Sequence, residues 1–278
     1  MIEVLQYEFI RNALTAGFLI SLACGIIGTL IVVNRMVFLS GGIAHAAYGG
    51  IGIAFFTGIP PLLGASLFSV CAALLMGILT LKHKHRADAI IGAIWAIGMA
   101  LGIILIDLTP GYNIDLMSYL FGSILTVPTS YLWLMCALNI IILAVVMVFY
   151  KEFIAMSYDE EFASLRGVPV TILYFVLLAL AALTIVMTIQ AVGLILVIAL
   201  LTIPTYIAER YSGSLGHMMV FSFINGSIFV LLGLWFSYKF NLTSGAAIIM
   251  VATVFFFIFL ISGKVRERLK RRMSESAE

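Results

Sequence analysis

His45 is the one histidine of this 278-residue chain that stands inside an apolar span, in the run Ser40–Gly50, SGGIAHAAYGG; His83 and His85 belong to a basic loop and His217 opens a span at its edge. A lone imidazole at membrane depth can hydrogen-bond a neighbouring helix. It can also mark an ion path or a proton relay, the usual role of ionisable groups inside a bilayer. On a helix, residues four apart share a face. Gly42, Ala46, Gly50 and Ala54 then form a ridge of small residues suited to close helix packing, and Gly41, His45 and Gly49 form the ridge beside it. A second group lies at residues 151–170, KEFIAMSYDEEFASLRGVPV. Asp159, Glu160 and Glu161 suit a helix start, Ala163 continues it, Arg166 suits the end, and Gly167 followed by Pro169 forms a stop. The pattern predicts a short amphipathic helix, either a plain connector or a docking surface for a partner. In a third stretch, residues 188–211, Pro204 interrupts an apolar run and is expected to kink or break it, with Gln190 near one end.

The elements that must carry these residues follow from composition. Hydrophobic residues make up 63% of the chain and charged residues 10%, against roughly 25% charged in soluble domains; the mean hydropathy is +1.20. This is the composition of an all-α polytopic membrane protein. Apolar runs at 10–33, 43–58, 61–81, 88–108, 129–150, 168–188, 191–208, 217–237 and 243–262 predict eight or nine spans. The second is short and the seventh carries Pro204. The segment GYNIDLMSYLFGSILTVP, too short to cross and too apolar for an ordinary loop, predicts a short outer-face helix. Alternating the spans collects Arg35, the KHKHR loop, Lys151, Arg166, Arg210 and the tail KVRERLKRR on one side, with only Arg11 and Lys239 of the 15 Lys and Arg opposite. The positive-inside rule makes the first side, and the C-terminus, cytoplasmic. Residues 1–262 then form a single transmembrane domain and residues 263–278 a basic tail. Cys24, Cys71 and Cys136 lie in separate apolar runs and read as buried, inert thiols. The eleven Tyr and three Trp mostly suit interfacial belts, and no chemistry is attached to them. Two acids and no basic run precede the first apolar stretch, so a cleaved signal peptide is not expected. The net charge of +2 offers nothing to nucleic acid. The chain has no GxxxxGK[ST] loop, HExxH motif or paired carboxylates, so it does not read as an enzyme by itself.

Four blocks in order resemble the permease subunit of the zinc/manganese/iron(II) family of ABC importers. They are GTLIVVNRMVFLSGGIAHAAYGGIGIAFFTG, AIIGAIWAIGMALGIILI, DLMSYLFGSIL, and the run from DEEFASLRGVPV through QAVGLILVIALLTIPTYIA. Together they extend over about residues 10–262. The resemblance implies a fold like that of the vitamin B12-type importer permeases, in the plasma membrane of a prokaryote. It implies a homodimer around a central pathway, cytoplasmic ATP-binding subunits docking on residues 159–167, and an extracytoplasmic metal-binding protein. It implies no bound cofactor; the metal ion is cargo.

The resemblance also implies His45 as a metal-path ligand or gate. In the family pattern an Asp often stands four residues before the His, where this chain has Gly41. A carboxylate must then come from elsewhere, with Asp115 the best candidate and Asp107 a weaker one, or a homodimer must supply two His45 side chains. Imidazole suits zinc and iron, and carboxylate suits manganese better, but the sequence does not choose among the three metals. Two alternatives remain open at this point: a permease for metal chelates or cobalamin-type cofactors, and an ion-coupled secondary carrier, which should show paired acids within spans and inverted repeats.

Overall fold

The computed structural model describes residues 6–110 and 122–275, and the described residues are helical with short connections. The helices are α1 (Glu8–Val33), α2 (Val37–Thr57), α3 (Pro61–Lys82), α4 (Ala87–Asp107), α5 (Thr129–Val148), α6 (Tyr150–Tyr158), α7 (Glu160–Leu165), α8 (Val170–Val192), α9 (Leu194–Glu209), α10 (Leu215–Phe240) and α11 (Ser244–Glu275). Hydrocarbon offers no partner for backbone amides, so apolar runs of this length satisfy them internally as helices. Among the described residues eight helices are long and apolar enough to cross a bilayer: α1–α5, α8, α10 and the Ser244–Ser262 part of α11. The 16-residue α9 is a ninth, shorter apolar helix, about 24 Å long at 1.5 Å per residue.

Polar pins show which helix ends lie together. At one end, Asn12 Nδ2 donates to the Val127 carbonyl and to Thr129 Oγ1, and Thr129 Oγ1 donates to Glu8 Oε1, joining the starts of α1 and α5. At the other end, Asn34 Nδ2 donates to Ser157 Oγ at 3.0 Å, tying the close of α1 to α6. Thr80 Oγ1 and the Tyr174 hydroxyl lie 3.4 Å apart there, linking the end of α3 to the start of α8. The chain therefore alternates as the charge pattern requires. Arg35, the KHKHR loop, Lys151, Arg166 and Arg210 share the α6–α7 end, and Arg11 and Lys239 lie at the opposite one.

The core runs through α1, α2, α8 and α9. Ile20, Ile27, Leu30, Ile43, Leu177 and Val197 are fully buried there, while α4, α5 and α11 present most of their surface outward. Buried hydroxyls on these helices mostly donate to the carbonyl a turn earlier, as Thr29 does to Gly25, Thr184 to Leu180 and Thr188 to Thr184. The hydroxyls thereby spend their donors within the helix and add little to helix association.

Four sequence expectations change. First, α2 begins at Val37 and runs 21 residues, so the second span is not short. Second, α9 passes through Pro204 without a break. The break falls instead at Gly193, whose φ of 81° and ψ of 166° only glycine adopts readily. Gly122 is seated against that corner; a Cβ there would run into the Val192–Gly193 peptide. Third, residues 151–158 continue as helix α6 and do not form a loop. Fourth, only Cys24 is buried; Cys71 is exposed and Cys136 is half-buried. The expected outer-face helix and Asp115 fall largely on residues 111–121, outside the described residues.

Candidate functional site

Glycine spacing sets the position of His45. Helices α2 and α4 run parallel, and their small residues interlock. A Cβ on Gly98 would meet the Ala46 backbone at 2.8 Å, and one on Gly49 would meet the Gly98 carbonyl at 3.0 Å. Gly52 and Gly102 lie backbone to backbone, and Gly42 receives the Ile91 side chain. With only hydrogen atoms at these positions, the two helices lock in one register. That register brings position 45 opposite position 95. The His45 ring stacks on Trp95, with centroids 3.9 Å apart and planes at 28°. Trp95 is itself held by its own helix, its Nε1–H donating to Met99 Sδ at 3.1 Å.

The second restraint on His45 comes from α2. Its Nδ1 lies 2.9 Å from the Gly41 carbonyl oxygen. A carbonyl only accepts, so this bond requires the proton on Nδ1. In the neutral ring the Nε2 lone pair is then free, which is the form that ligates a metal. The side chain is half-buried. Beside it, a Cβ on Gly41 would find one neighbour within 4 Å, Ile198 Cδ1 at 3.8 Å. Ile198, half-buried on α9, is thus the neighbour of α2 at this point. One turn along α2, Tyr48 is buried and its hydroxyl has no partner among the described residues.

The two glycine ridges are therefore unequal. Gly42 and Gly50 are packed, Gly50 against the Gly64 carbonyl and Phe68. On the His45 ridge, Gly49 is covered by the Phe68 ring, whereas Gly41, though buried, has room for a side chain, so the space beside the imidazole lies on the Gly41 side. Asp107 ends α4 at the far end from α7. Among the described residues no group of three or more His, Cys, Asp and Glu could hold a metal. Trp95 was not legible as a site residue because tryptophan was assigned to interfacial belts. Trp133 and Trp235 do lie near helix ends, but Trp95 sits well inside α4, and that depth was the available signal.

At the α6–α7 end, Asp159 caps α7. Its Oδ1 accepts the Phe162 N–H at 2.9 Å, satisfying one free backbone donor. Glu160 and Glu161 occupy the first turn and are exposed. The helix stops at Gly167, φ 81°, where Val168 N donates to the Ala163 carbonyl and Gly167 N to that of Ser164. Ala163 is buried against the bundle, which fixes the roll of α7. Phe162, Leu165 and the neighbouring Tyr158 face outward; Leu165 is 88% exposed. The Arg166 guanidinium lies 5.0 Å from the Phe162 ring centroid.

A bundle of eight membrane-length helices among the described residues, with a capped surface helix at one end and a half-buried histidine on α2, is that of a multi-pass membrane protein. Residues 6–263 match the model of the ABC 3 transport family, and the chain belongs to that family. It is 54% identical over 260 residues to the uncharacterized membrane protein slr2045 of Synechocystis, covering 94% of this chain and 92% of that one. It is 37% identical over 262 residues to the manganese transport system membrane protein MntC of Listeria monocytogenes, covering 94% and 93%. Among solved structures it is similar to PsaBC from Streptococcus pneumoniae in complex with Fab, at 32% identity and a TM-score of 0.84 over 93% of each chain.

Proposed function

We propose that the chain is the membrane permease of an ATP-driven importer of a divalent transition metal, with manganese as the first cargo to test. The observation that carries this reading is end-to-end similarity, above 30% identity, to permeases named for manganese transport in Listeria and to the manganese import permease ScaB of Streptococcus parasanguinis. His45 supports it: a half-buried neutral imidazole with one ring nitrogen free of the Gly41 bond can replace part of an ion's hydration shell. A single imidazole holds a divalent ion weakly. Two copies packed about an axis, each contributing His45, or a carboxylate such as Asp115, would complete the ligand set. The family position that carries Asp is Gly41 here, so this chain relies on those other sources.

With no P-loop of its own, the chain takes its energy from separate ATP-binding subunits docked on α7. Asp159, Glu160, Glu161, Ala163 and Gly167 shape that docking surface, and an extracytoplasmic binding protein delivers the metal. The positive end is then cytoplasmic and the basic tail lies near anionic lipid. A chelate permease or a gradient-driven carrier is not favoured, because two of the relatives named above, MntC and ScaB, carry manganese transport names.

The test is reconstitution in liposomes with labelled Mn2+, Zn2+ and Fe2+ offered separately. Uptake that needs both ATP and an added ATPase subunit, and that falls on His45→Ala, is the expected result. Uptake by the chain alone along an ion gradient, or undiminished uptake by His45→Ala, would overturn it.

A further inference from the structure

Resting on the reading of His45 as a metal-path ligand, we propose that Trp95 is a positioning residue for metal transfer: its indole face and the Gly41 carbonyl together clamp the imidazole so that Nε2 alone is presented to the ion. Three observations carry this. The rings stack at 3.9 Å and 28°. The clamp's other jaw is the hydrogen bond that Nδ1–H donates to the Gly41 carbonyl of the same helix, so both rotatable bonds of His45 are restrained from two directions. Trp95 is itself anchored to Met99 Sδ and is placed by the glycine-locked register of α2 and α4, so it is a fixed wall.

The clamp has a chemical consequence. A free histidine exchanges tautomers and rotamers, and ordering it on metal binding costs side-chain entropy. A ring already held in one tautomer and one orientation avoids that cost, which is the general advantage of preorganisation. The stack also covers one face of the ring, so the in-plane Nε2 lone pair is left as the point of attack. The clamp compensates in part for the glycine at position 41. With no carboxylate beside the imidazole, affinity depends more heavily on how well the one ligand is held.

The experiment compares Trp95→Ala, Trp95→Phe and His45→Ala in the reconstituted importer with its ATPase, reading the KM and maximal rate for Mn2+ uptake. In parallel, Co2+ is titrated into the detergent-purified proteins and the visible absorption of nitrogen-coordinated Co2+ is followed. Loss of an aromatic stack is expected to raise KM roughly three- to ten-fold with the maximal rate little changed. Trp95→Phe should restore most of the affinity, and the Co2+ titration should weaken in the same order. If His45→Ala abolishes uptake while Trp95→Ala transports and binds Co2+ like the native protein, the positioning role is overturned and the metal-path reading stands. A lowered maximal rate at unchanged KM, not rescued by phenylalanine, would equally overturn it, showing a packing role only. If His45→Ala transports normally, the underlying reading itself falls. Should Trp95→Ala not fold, Trp95→Leu, which keeps bulk without a flat ring, takes its place, and the same outcomes apply.

Discussion

At the scale of single residues, Gly41 is the informative departure. A Cβ there would meet only Ile198 Cδ1 at an ordinary contact distance of 3.8 Å, so the position has room for a side chain that the sequence does not use. Gly41→Asp should therefore fold and place a carboxylate one helical turn from the His45 ring. Carboxylate oxygen favours manganese over zinc relative to imidazole alone. We expect Mn2+ uptake with a KM roughly tenfold lower, the effect of about 1.4 kcal/mol of added binding, and a smaller gain for Zn2+, checked by competition uptake. The residues of α2 could be read from sequence because they are local: the spacing of small residues about His45 is visible in one run of letters. Trp95 could not, because its role depends on the register between two helices. That register is set by backbone contacts of Gly49, Gly52, Gly98 and Gly102, which no single-helix pattern reveals.

At the scale of elements, hydropathy located the spans because lipid forces each apolar run to satisfy its own backbone. It misplaced the interruption in α9. Pro204 costs one hydrogen bond and a ring clash, yet the helix runs through it, and its own carbonyl accepts Asn225 Nδ2 at 3.4 Å. The turn belongs to Gly193, where direction changes within one residue. The sequence shows only a glycine there, one of 24, and nothing local marks it as the corner. Gly193→Ala should be destabilising by about 1–3 kcal/mol, since its backbone lies in a region closed to other residues. The helix-lock argument predicts a matched contrast. Gly102→Val would push a side chain into the Tyr48 backbone and should cost about 1–3 kcal/mol or more through overpacking. Gly92, which has nothing within 4 Å of an added Cβ, should accept alanine with no loss and a gain of up to about 1 kcal/mol. Thermal unfolding of the purified proteins in one detergent orders the three variants.

At the scale of the whole molecule, two kinds of exposed apolar surface need different explanations. Ile97 and Ile104 on α4, 65% and 55% exposed, lie within a membrane-length helix, where lipid or a second copy covers them. Tyr158, Phe162 and Leu165 lie beyond the spans at the α6–α7 end, where water is the default neighbour. A leucine 88% exposed on a capped helix, with Ala163 pinned underneath, contributes nothing to the bundle and is available to a partner. Sequence pattern predicted the existence of α7 through its cap and stop residues, but not which side chains it would turn outward, because that depends on the burial of Ala163. Leu165→Asp should therefore leave the fold and the melting temperature unchanged. If the proposed ATPase subunit docks on α7, the substitution should weaken that association at least about tenfold, as expected for the loss of an apolar anchor in an interface. Asp159→Ala should act differently. Removing the cap costs about 1 kcal/mol of local helix stability, so α7 stays in place less firmly and ATP-dependent uptake falls while some ATPase binding persists. Co-purification with the ATPase, read beside uptake for both variants, separates a lost contact from a loosened helix. Unimpaired association and uptake in Leu165→Asp would mean that the partner docks elsewhere on this end of the bundle.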